Sequence, residues 1–185
     1  QHGEPGLYVT LSETAQELRA VAESHGWSLD GITVYELAPA EVSLAAEDQY
    51  TLLHPSEVEL GETTRAVLDE VERTNAARVV FDSLSELRLL SRDSLRFRRQ
   101  VLGLKQFFVG RSCTVLLLDD RTVADNDLQL QSISHGVLVL EQLAFAYGSD
   151  RRRLRIQKLR GVHFRGGYHD YTIQTGGMRV FPRLV

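Results

Sequence analysis

The chain has little cysteine and no long hydrophobic run, and each shortage excludes a class of protein. Its single thiol, Cys113, excludes an internal disulfide framework and a cysteine-based zinc site within these 185 residues. Because Cys113 lies in an apolar run, we expect a buried, inert thiol, which fits the reducing cytoplasm. No stretch approaches the roughly 18 apolar residues of a membrane helix, and no signal peptide is visible.

Several catalytic signatures are missing as well. The phosphate-binding motif Gly-x-x-x-x-Gly-Lys-Ser/Thr does not occur, since residues 61–64 lack both its lysine and its earlier glycine. The signatures of dinucleotide-binding folds, zinc proteases and serine hydrolases are also absent. The six histidines are scattered along the chain, which favours surface or hydrogen-bonded roles over a metal site.

Charge is unevenly placed in a chain whose composition is that of one ordinary globular domain. The net charge is −4, yet residues 1–62 hold twelve acids and one base, and residues 151–185 hold nine bases and one acid. This polarity suits an acidic surface meeting a basic one, within the fold or between copies in a ring. It does not favour a general nucleic-acid binder, which would be basic overall.

Short β-rich runs alternate with helical patterns over most of the chain. A capping box at Thr14 and Glu17 predicts a helix that stops at Gly26, and Asp93 is placed to cap a helix through Phe108. The helix that Asp93 caps is expected to turn four side chains inward, those of Leu95, Val101, Leu102 and Leu104. A further helix is expected over 62–75, and strands over 7–11, 32–37, near 50–53, 78–83, 113–118, 136–140, along 151–161, and near 171–174 and 178–181.

This alternation predicts an α/β fold whose central sheet is mostly parallel and flanked by helices. The last strands have no helices between them and are expected to form an antiparallel β extension. We therefore expect a single domain over 1–185, with an α/β core at 1–150 and the C-terminal extension at 151–185.

Polar groups follow three of the predicted strands, and ligands collect at the carboxyl ends of parallel strands. These groups are Ser12 with Glu13, Asp82 with Ser83, and Asp119 with Asp120. A hydrophobic run that ends on Asp is typical of the magnesium-holding strand of P-loop NTPases, although a buried strand can also end on a helix-capping Asp. Glu13 could orient or deprotonate a water molecule, or simply belong to the first turn of its helix.

The segment 151–161 alternates cationic and apolar residues and ends on Lys158, Arg160 and Gly161. Lys158 and Arg160 share a parity, so both can point at one ligand. A planar guanidinium beside a compact ammonium is well suited to a polyphosphate. The alternative is a solvated edge strand that its charge protects from aggregation.

Together these segments resemble the KaiC family, the RecA-like ATPases that include the circadian clock protein. The matching segments occur in the family's order and are 6–14, 77–84, 135–140, 151–161, 171–173 and 177–182. Residues 158–161, Lys-Leu-Arg-Gly, are the most specific of them. The resemblance implies a RecA-like P-loop NTPase core that binds and hydrolyses ATP with Mg²⁺. It also implies a homo-oligomer, a hexameric ring in the intact protein, acting as a switch or motor.

The resemblance assigns roles to individual residues. Asp82, with Ser83 beside it, matches the carboxylate that holds Mg²⁺ next to the nucleotide. Glu13 matches the second of two adjacent acids that are credited with activating water. Lys158 and Arg160 match residues that reach across a subunit boundary to the neighbour's γ-phosphate, as an arginine finger does.

Two further expectations come from the resemblance. In the family the P-loop precedes the strand at 7–11, so the chain is expected to begin just after it and to be inactive by itself. Ser132 lies close to where one domain of the clock protein is phosphorylated, and Ser134 is the other candidate in this segment. An ordinary loop or helix-end serine is the alternative at both positions.

Two other functions stay open. Ser12 replaces the first of the family's two acids, which favours a non-catalytic RecA-like scaffold that binds signalling proteins. Recombinase-like DNA binding is the weaker alternative. It is suggested by a basic helix that carries Arg88, Arg92, Arg96, Arg98 and Arg99. Such a face is usually just solvated, and the aromatic residues are not interleaved in the way that platforms for base stacking need.

Overall fold

The computed structural model describes residues 3–37, 55–91, 93–120 and 128–184. The chain divides into two compact units, one of Gln1–Val21 with Leu29–Asp125 and the other of Ala22–Ser28 with Asn126–Val185. The strand predicted near 50–53 lies outside the described residues. Among those residues, no helix is long and apolar enough to cross a membrane.

A four-stranded parallel sheet organises the first unit. Its strands are β1 (Gly6–Thr10), β2 (Ile32–Glu36), β3 (Arg78–Asp82) and β4 (Thr114–Leu117), in the order β2-β1-β3-β4. The helices along this part of the chain are α1 (Ala15–Ser24), α2 (Pro55–Thr74), α3 (Leu84–Ser91) and α4 (Ser94–Phe108). The predicted α/β fold with a parallel sheet is confirmed.

The core lies on one face of this sheet. Leu7 and Val9 of β1, together with Val79 and Phe81 of β3, are each at most 1% exposed. Burying a side chain of this size contributes about 1.5–3 kcal/mol. The alternate residues point to the other face, where Tyr8 and Asp82 are only half-buried. This less buried face carries the polar groups that matter for function.

Helix α1 begins with the predicted capping box. The Thr14 amide donates to Glu17 Oε2 over 2.9 Å, and the Glu17 amide donates to Thr14 Oγ1 over 3.2 Å. Hydrogen bonds from Thr14 also lower the pKa of the Glu17 carboxyl. The first helix therefore starts where its sequence predicted.

Helix α4 also starts as predicted, because the Asp93 carboxylate accepts from the Leu95 amide over 3.3 Å. Its buried side chains are Phe97, Val101 and Leu104, at the spacing i, i+4, i+7. The inward orientation predicted for Leu95 and Leu102 is wrong, since they are 68% and 42% exposed. The buried stripe of α4 therefore contains Phe97 and not Leu95 or Leu102.

A four-stranded antiparallel sheet organises the second unit. Its elements are helix α5 (Leu128–Ile133) and strands β5 (Gly136–Leu143), β6 (Arg151–Leu159), β7 (His169–Gln174) and β8 (Gly177–Phe181), with the strands in sequence order. The predicted antiparallel extension is confirmed. The register of β5 and β6 shifts so that Val137 faces Lys158 and Leu138 faces Ile156. Gln157 is the extra residue of this bulge. It immediately precedes Lys158, near the end of β6, and Arg160 lies just beyond that strand.

Candidate functional site

The carboxyl edge of the parallel sheet brings together Glu13, Asp82 and Ser83. Thr10 and Asp82 are register partners at the ends of β1 and β3, and the Leu11 amide donates to the Asp82 carbonyl over 2.8 Å. Ser83 is buried, Asp82 is half-buried and Glu13 is exposed. The peptide bond that joins Asp82 to Ser83 is cis. Three of the predicted site residues therefore lie at one edge, where ligands bind in such sheets.

The turn that carries Glu13 is fixed by Thr10, which is 1% exposed. Thr10 Oγ1 donates to the Glu13 carbonyl over 2.8 Å and accepts from the Glu13 amide over 2.9 Å. The main chain of Glu13 is thereby fixed while its carboxylate stays in solvent. Sequence reasoning missed Thr10, although a threonine at a strand end, just before an acid, is the signal that could have indicated it.

Tyr8 is a second residue that sequence reasoning missed. Its hydroxyl donates a short hydrogen bond to Asp82 Oδ2. Burial raises the pKa of Tyr8 well above its usual range, and the hydrogen bond to Asp82 and the negative charges of Asp82 and Glu13 add to the shift. The hydroxyl is therefore protonated at neutral pH and acts as a donor.

The residues at this edge fit Mg²⁺ better than a metal held entirely by protein. Asp82 and Ser83 offer the hard oxygen donors that Mg²⁺ prefers. The Tyr8 hydrogen bond involves Asp82 Oδ2 and not Oδ1. Across the described residues, no group of three or more side chains of the kinds that bind metals is gathered in one place. Mg²⁺ commonly takes one or two carboxylates and completes its shell with water and phosphate oxygens.

The third acidic group, after β4, has a structural partner. Arg88 binds the Asp119 carboxylate with both terminal nitrogens, Nη1 to Oδ1 and Nη2 to Oδ2, each over 3.0 Å. Ser85 donates to Asp119 Oδ1 over 3.4 Å. This pair ties α3 to the end of β4, so Asp119 is engaged by its own fold.

Lys158 and Arg160 converge in the second unit, on main-chain oxygens near the end of α5. Lys158 Nζ donates to the carbonyls of Gln131 over 2.5 Å and Ser132 over 3.3 Å. Arg160 Nη2 donates to the Ser132 carbonyl over 3.1 Å. Lys158 is half-buried and Arg160 is exposed, so neither is part of a core. Both cations thus contact main-chain oxygens of their own chain, and their role toward a ligand stays a prediction.

The two candidate phosphorylation residues differ in surroundings. Ser132 is exposed. Ser134 is half-buried, and its hydroxyl donates to the Leu130 carbonyl over 2.9 Å. The Ser134 hydroxyl is thus bound to the main chain at the helix end.

Two of the other cations of β6, Arg151 and Arg153, form ion pairs within the antiparallel sheet. Arg151 Nε donates to Asp170 Oδ1 over 2.7 Å, and this bond lowers the pKa of the Asp170 carboxyl. Arg153 pairs with Glu141 over 2.6 Å, and its guanidinium lies 3.8 Å from the centre of the Tyr168 ring. Carboxylates therefore neutralise Arg151 and Arg153, whereas Lys158 and Arg160 donate to neutral carbonyl oxygens.

Similarity to known proteins extends along the whole chain. The family model described as "ATPase: KaiC" matches residues 1–185. A UPF0273 protein of Pyrococcus furiosus is 26% identical over 193 residues, covering 100% of this chain and 77% of that protein. The circadian clock oscillator protein KaiC of Synechococcus elongatus is 27% identical over 195 residues, covering 97% of this chain and 35% of that protein.

A solved structure agrees with the fold. The crystal structure of a KaiC-like protein from Pyrococcus horikoshii superposes with a TM-score of 0.74 at 22% identity, covering 98% of this chain and 77% of that one. Its fold agrees with the RecA-type fold that the resemblance to the KaiC family implies. The family match over the full length and this shared fold lead to one conclusion: the chain belongs to the KaiC family of ATPases.

Proposed function

We propose that this domain binds and hydrolyses Mg²⁺-ATP in the cytoplasm, as part of a hexameric head-to-tail ring in which neighbouring subunits share each site. The observation that carries this proposal is the convergence of Glu13, Asp82 and Ser83 at the carboxyl edge of a parallel sheet. The family match supports ATP as the nucleotide. The ring would work as a switch or motor.

Each acidic residue has a separate role in this proposal. Asp82 would hold Mg²⁺ through the metal's water shell, with the Ser83 hydroxyl beside it. Bound Mg²⁺ would neutralise charge that develops on the phosphates. Glu13 would accept a proton from the attacking water or orient it, because its carboxylate is exposed on a fixed turn.

The neighbouring subunit would supply Lys158 and Arg160. In this chain they bind neutral carbonyl oxygens, and a phosphate would add the attraction between opposite charges to the hydrogen bonds that these cations donate. A triphosphate can therefore compete for them. The acidic early part and the basic late part of the sequence suit heterologous contacts that close a ring.

The test compares phosphate release and nucleotide binding in the protein expressed from its complete coding sequence. We expect Glu13→Gln to lower turnover by about 100-fold or more while binding of a fluorescent ATP analogue persists. Asp82→Asn should abolish the Mg²⁺ dependence. Asp93→Asn is the matched control, because asparagine still caps α4. Turnover that is unchanged in Asp82→Asn would overturn the proposal.

A non-catalytic scaffold that binds signalling proteins is the second candidate, and the exposed Ser12 is the observation that favours it. In that case ATP would bind without measurable phosphate release. Ser12→Glu separates the two functions. If the domain is an ATPase, a second acid beside Glu13 should raise its rate of phosphate release. A scaffold should still release no measurable phosphate.

A further inference from the structure

The hydrogen bond between Tyr8 and Asp82 joins adjacent strands on the less buried face of the parallel sheet. Tyr8 is the register partner of Val80, and Asp82 lies two residues further along β3. Residues two apart in a strand point to the same face, so the tyrosine ring can reach diagonally to the carboxylate. The contact therefore follows from the register of β1 and β3.

We propose that Tyr8 is a positioning residue that fixes the Asp82 carboxylate through Oδ2 and directs Oδ1 toward a hydrated magnesium ion. This inference rests on the proposed function, since it concerns the same site. Carboxylates that hold metals are commonly held in turn by hydrogen bonds from outer residues. Removing such an outer partner typically weakens metal binding about 10–100-fold.

The alternative is that Tyr8 serves only to pack the sheet. The almost fully buried apolar side chains of β1, Leu7 and Val9, lie on the opposite face, and Tyr8 is half-buried. Its ring could pack equally well without the hydroxyl. The hydroxyl has a charged acceptor, and hydrogen bonds to charged groups are stronger than those between neutral groups.

The experiment measures how Mg²⁺ concentration controls the binding of a fluorescent, non-hydrolysable ATP analogue and, separately, phosphate release. The variants are Tyr8→Phe, Asp82→Asn and their combination. Tyr8→Phe keeps the ring, and thermal unfolding verifies its fold. Tyr35→Phe is the control, because Tyr35 lies on β2 and its register partner is Val9, on the core face.

We expect Tyr8→Phe to raise the Mg²⁺ concentration for half-maximal analogue binding about 10-fold, with analogue affinity in EDTA unchanged. Tyr35→Phe should match the parent protein. In the Asp82→Asn background, Tyr8→Phe should have no further effect, because its action passes through that carboxylate.

Two failures are distinguishable. Equal Mg²⁺ dependence in Tyr8→Phe and the parent, or an equal effect with and without Asp82, would overturn the role of Tyr8 and leave the ATPase proposal standing. A parent protein whose nucleotide binding ignores Mg²⁺ would overturn both.

Discussion

Lys158 and Arg160 donate to the same main-chain oxygen, that of Ser132, over 3.3 and 3.1 Å. A carbonyl at the end of a helix carries part of the negative end of the helix dipole. The two cations are therefore already gathered around a partial negative charge. In the proposed shared site, this arrangement would lower the entropy lost when both cations engage one phosphate group.

Mixing two inactive variants tests whether neighbouring subunits share the site. Asp82→Asn and Lys158→Ala should each be nearly inactive alone. Co-assembled, they should recover turnover, since some boundaries then combine an intact Asp82 with an intact Lys158 from the next subunit. The measurement is phosphate release as a function of mixing ratio, after dissociation and reassembly.

The control for this mixture is Arg179→Ala, because Arg179 lies on β8 and its guanidinium stacks on Phe181. It should remain active by itself. An absence of recovery in mixtures that demonstrably exchange subunits would place the complete site within one chain.

The carboxyl edge was predictable because a hydrophobic run that ends on an acid is visible in sequence. The hydrogen bonds that organise that edge were not. Tyr8 read as one more β-forming residue, and its partner Asp82 is 74 positions away. Only the register of β1 with β3 brings the two together. Thr10 was missed for a similar reason, because its hydroxyl donates to the Glu13 carbonyl in the turn after β1.

The helix boundaries show which features the local sequence pattern does not predict. Helix α2 begins at Pro55, seven residues before the predicted start at 62, because proline fits the first turn of a helix. Helix α5 was not predicted, and α3 was not predicted as a separate helix, since Arg88 was placed on one basic helix with Arg99 of α4. Each has at most eight residues, too few for helical periodicity to stand out, and tertiary packing supplies most of the stability of short helices.

The pair Arg88–Asp119 should contribute measurably to stability. Both side chains are only about a quarter exposed and the geometry is bidentate. We expect Arg88→Met to destabilise the fold by about 1–2 kcal/mol, since it leaves a half-buried carboxylate without this partner. Urea unfolding measures the loss. Arg88→Met combined with Asp119→Asn should cost less than the sum of the single changes.

The control for that measurement is Arg65, whose ion pair with Asp69 spans 4.0 Å with side chains 85% and 71% exposed. Arg65→Met should change stability by less than about 0.5 kcal/mol. An equal loss in both arginine variants would show that burial and geometry do not set the strength of the Arg88 pair.

Glu70 should make stability depend on acid pH. Arg73 donates to both carboxylate oxygens, over 2.7 and 2.5 Å, and this lowers the pKa of the Glu70 carboxyl, against the opposing effect of burial. A carboxyl whose pKa is lowered by folding stabilises the fold above its unfolded value of about 4.3. That contribution is lost as pH falls through the folded pKa.

We therefore expect Arg73→Met to be less stable than the parent at pH 7, with the difference shrinking as pH falls below about 4. Urea midpoints across that range measure it. In a Glu70→Gln background the effect of Arg73→Met should no longer depend on pH. A difference that stays constant down to acid pH in the Glu70 protein would contradict the assignment.

Adjacent glycines in the loop before β7 should respond differently to alanine. Gly167 has φ +88°, and a Cβ there would lie 2.5 Å from Arg183 Nη1, whereas a Cβ at Gly166 would meet nothing within 4 Å. We expect Gly167→Ala to cost about 1–2 kcal/mol in urea unfolding and Gly166→Ala to be nearly neutral.

Removing the arginine side chain with Arg183→Ala should relieve the clash but not the backbone strain. Gly167→Ala should therefore still cost about 1 kcal/mol in that background. Full recovery would instead assign the whole penalty to the clash with Arg183.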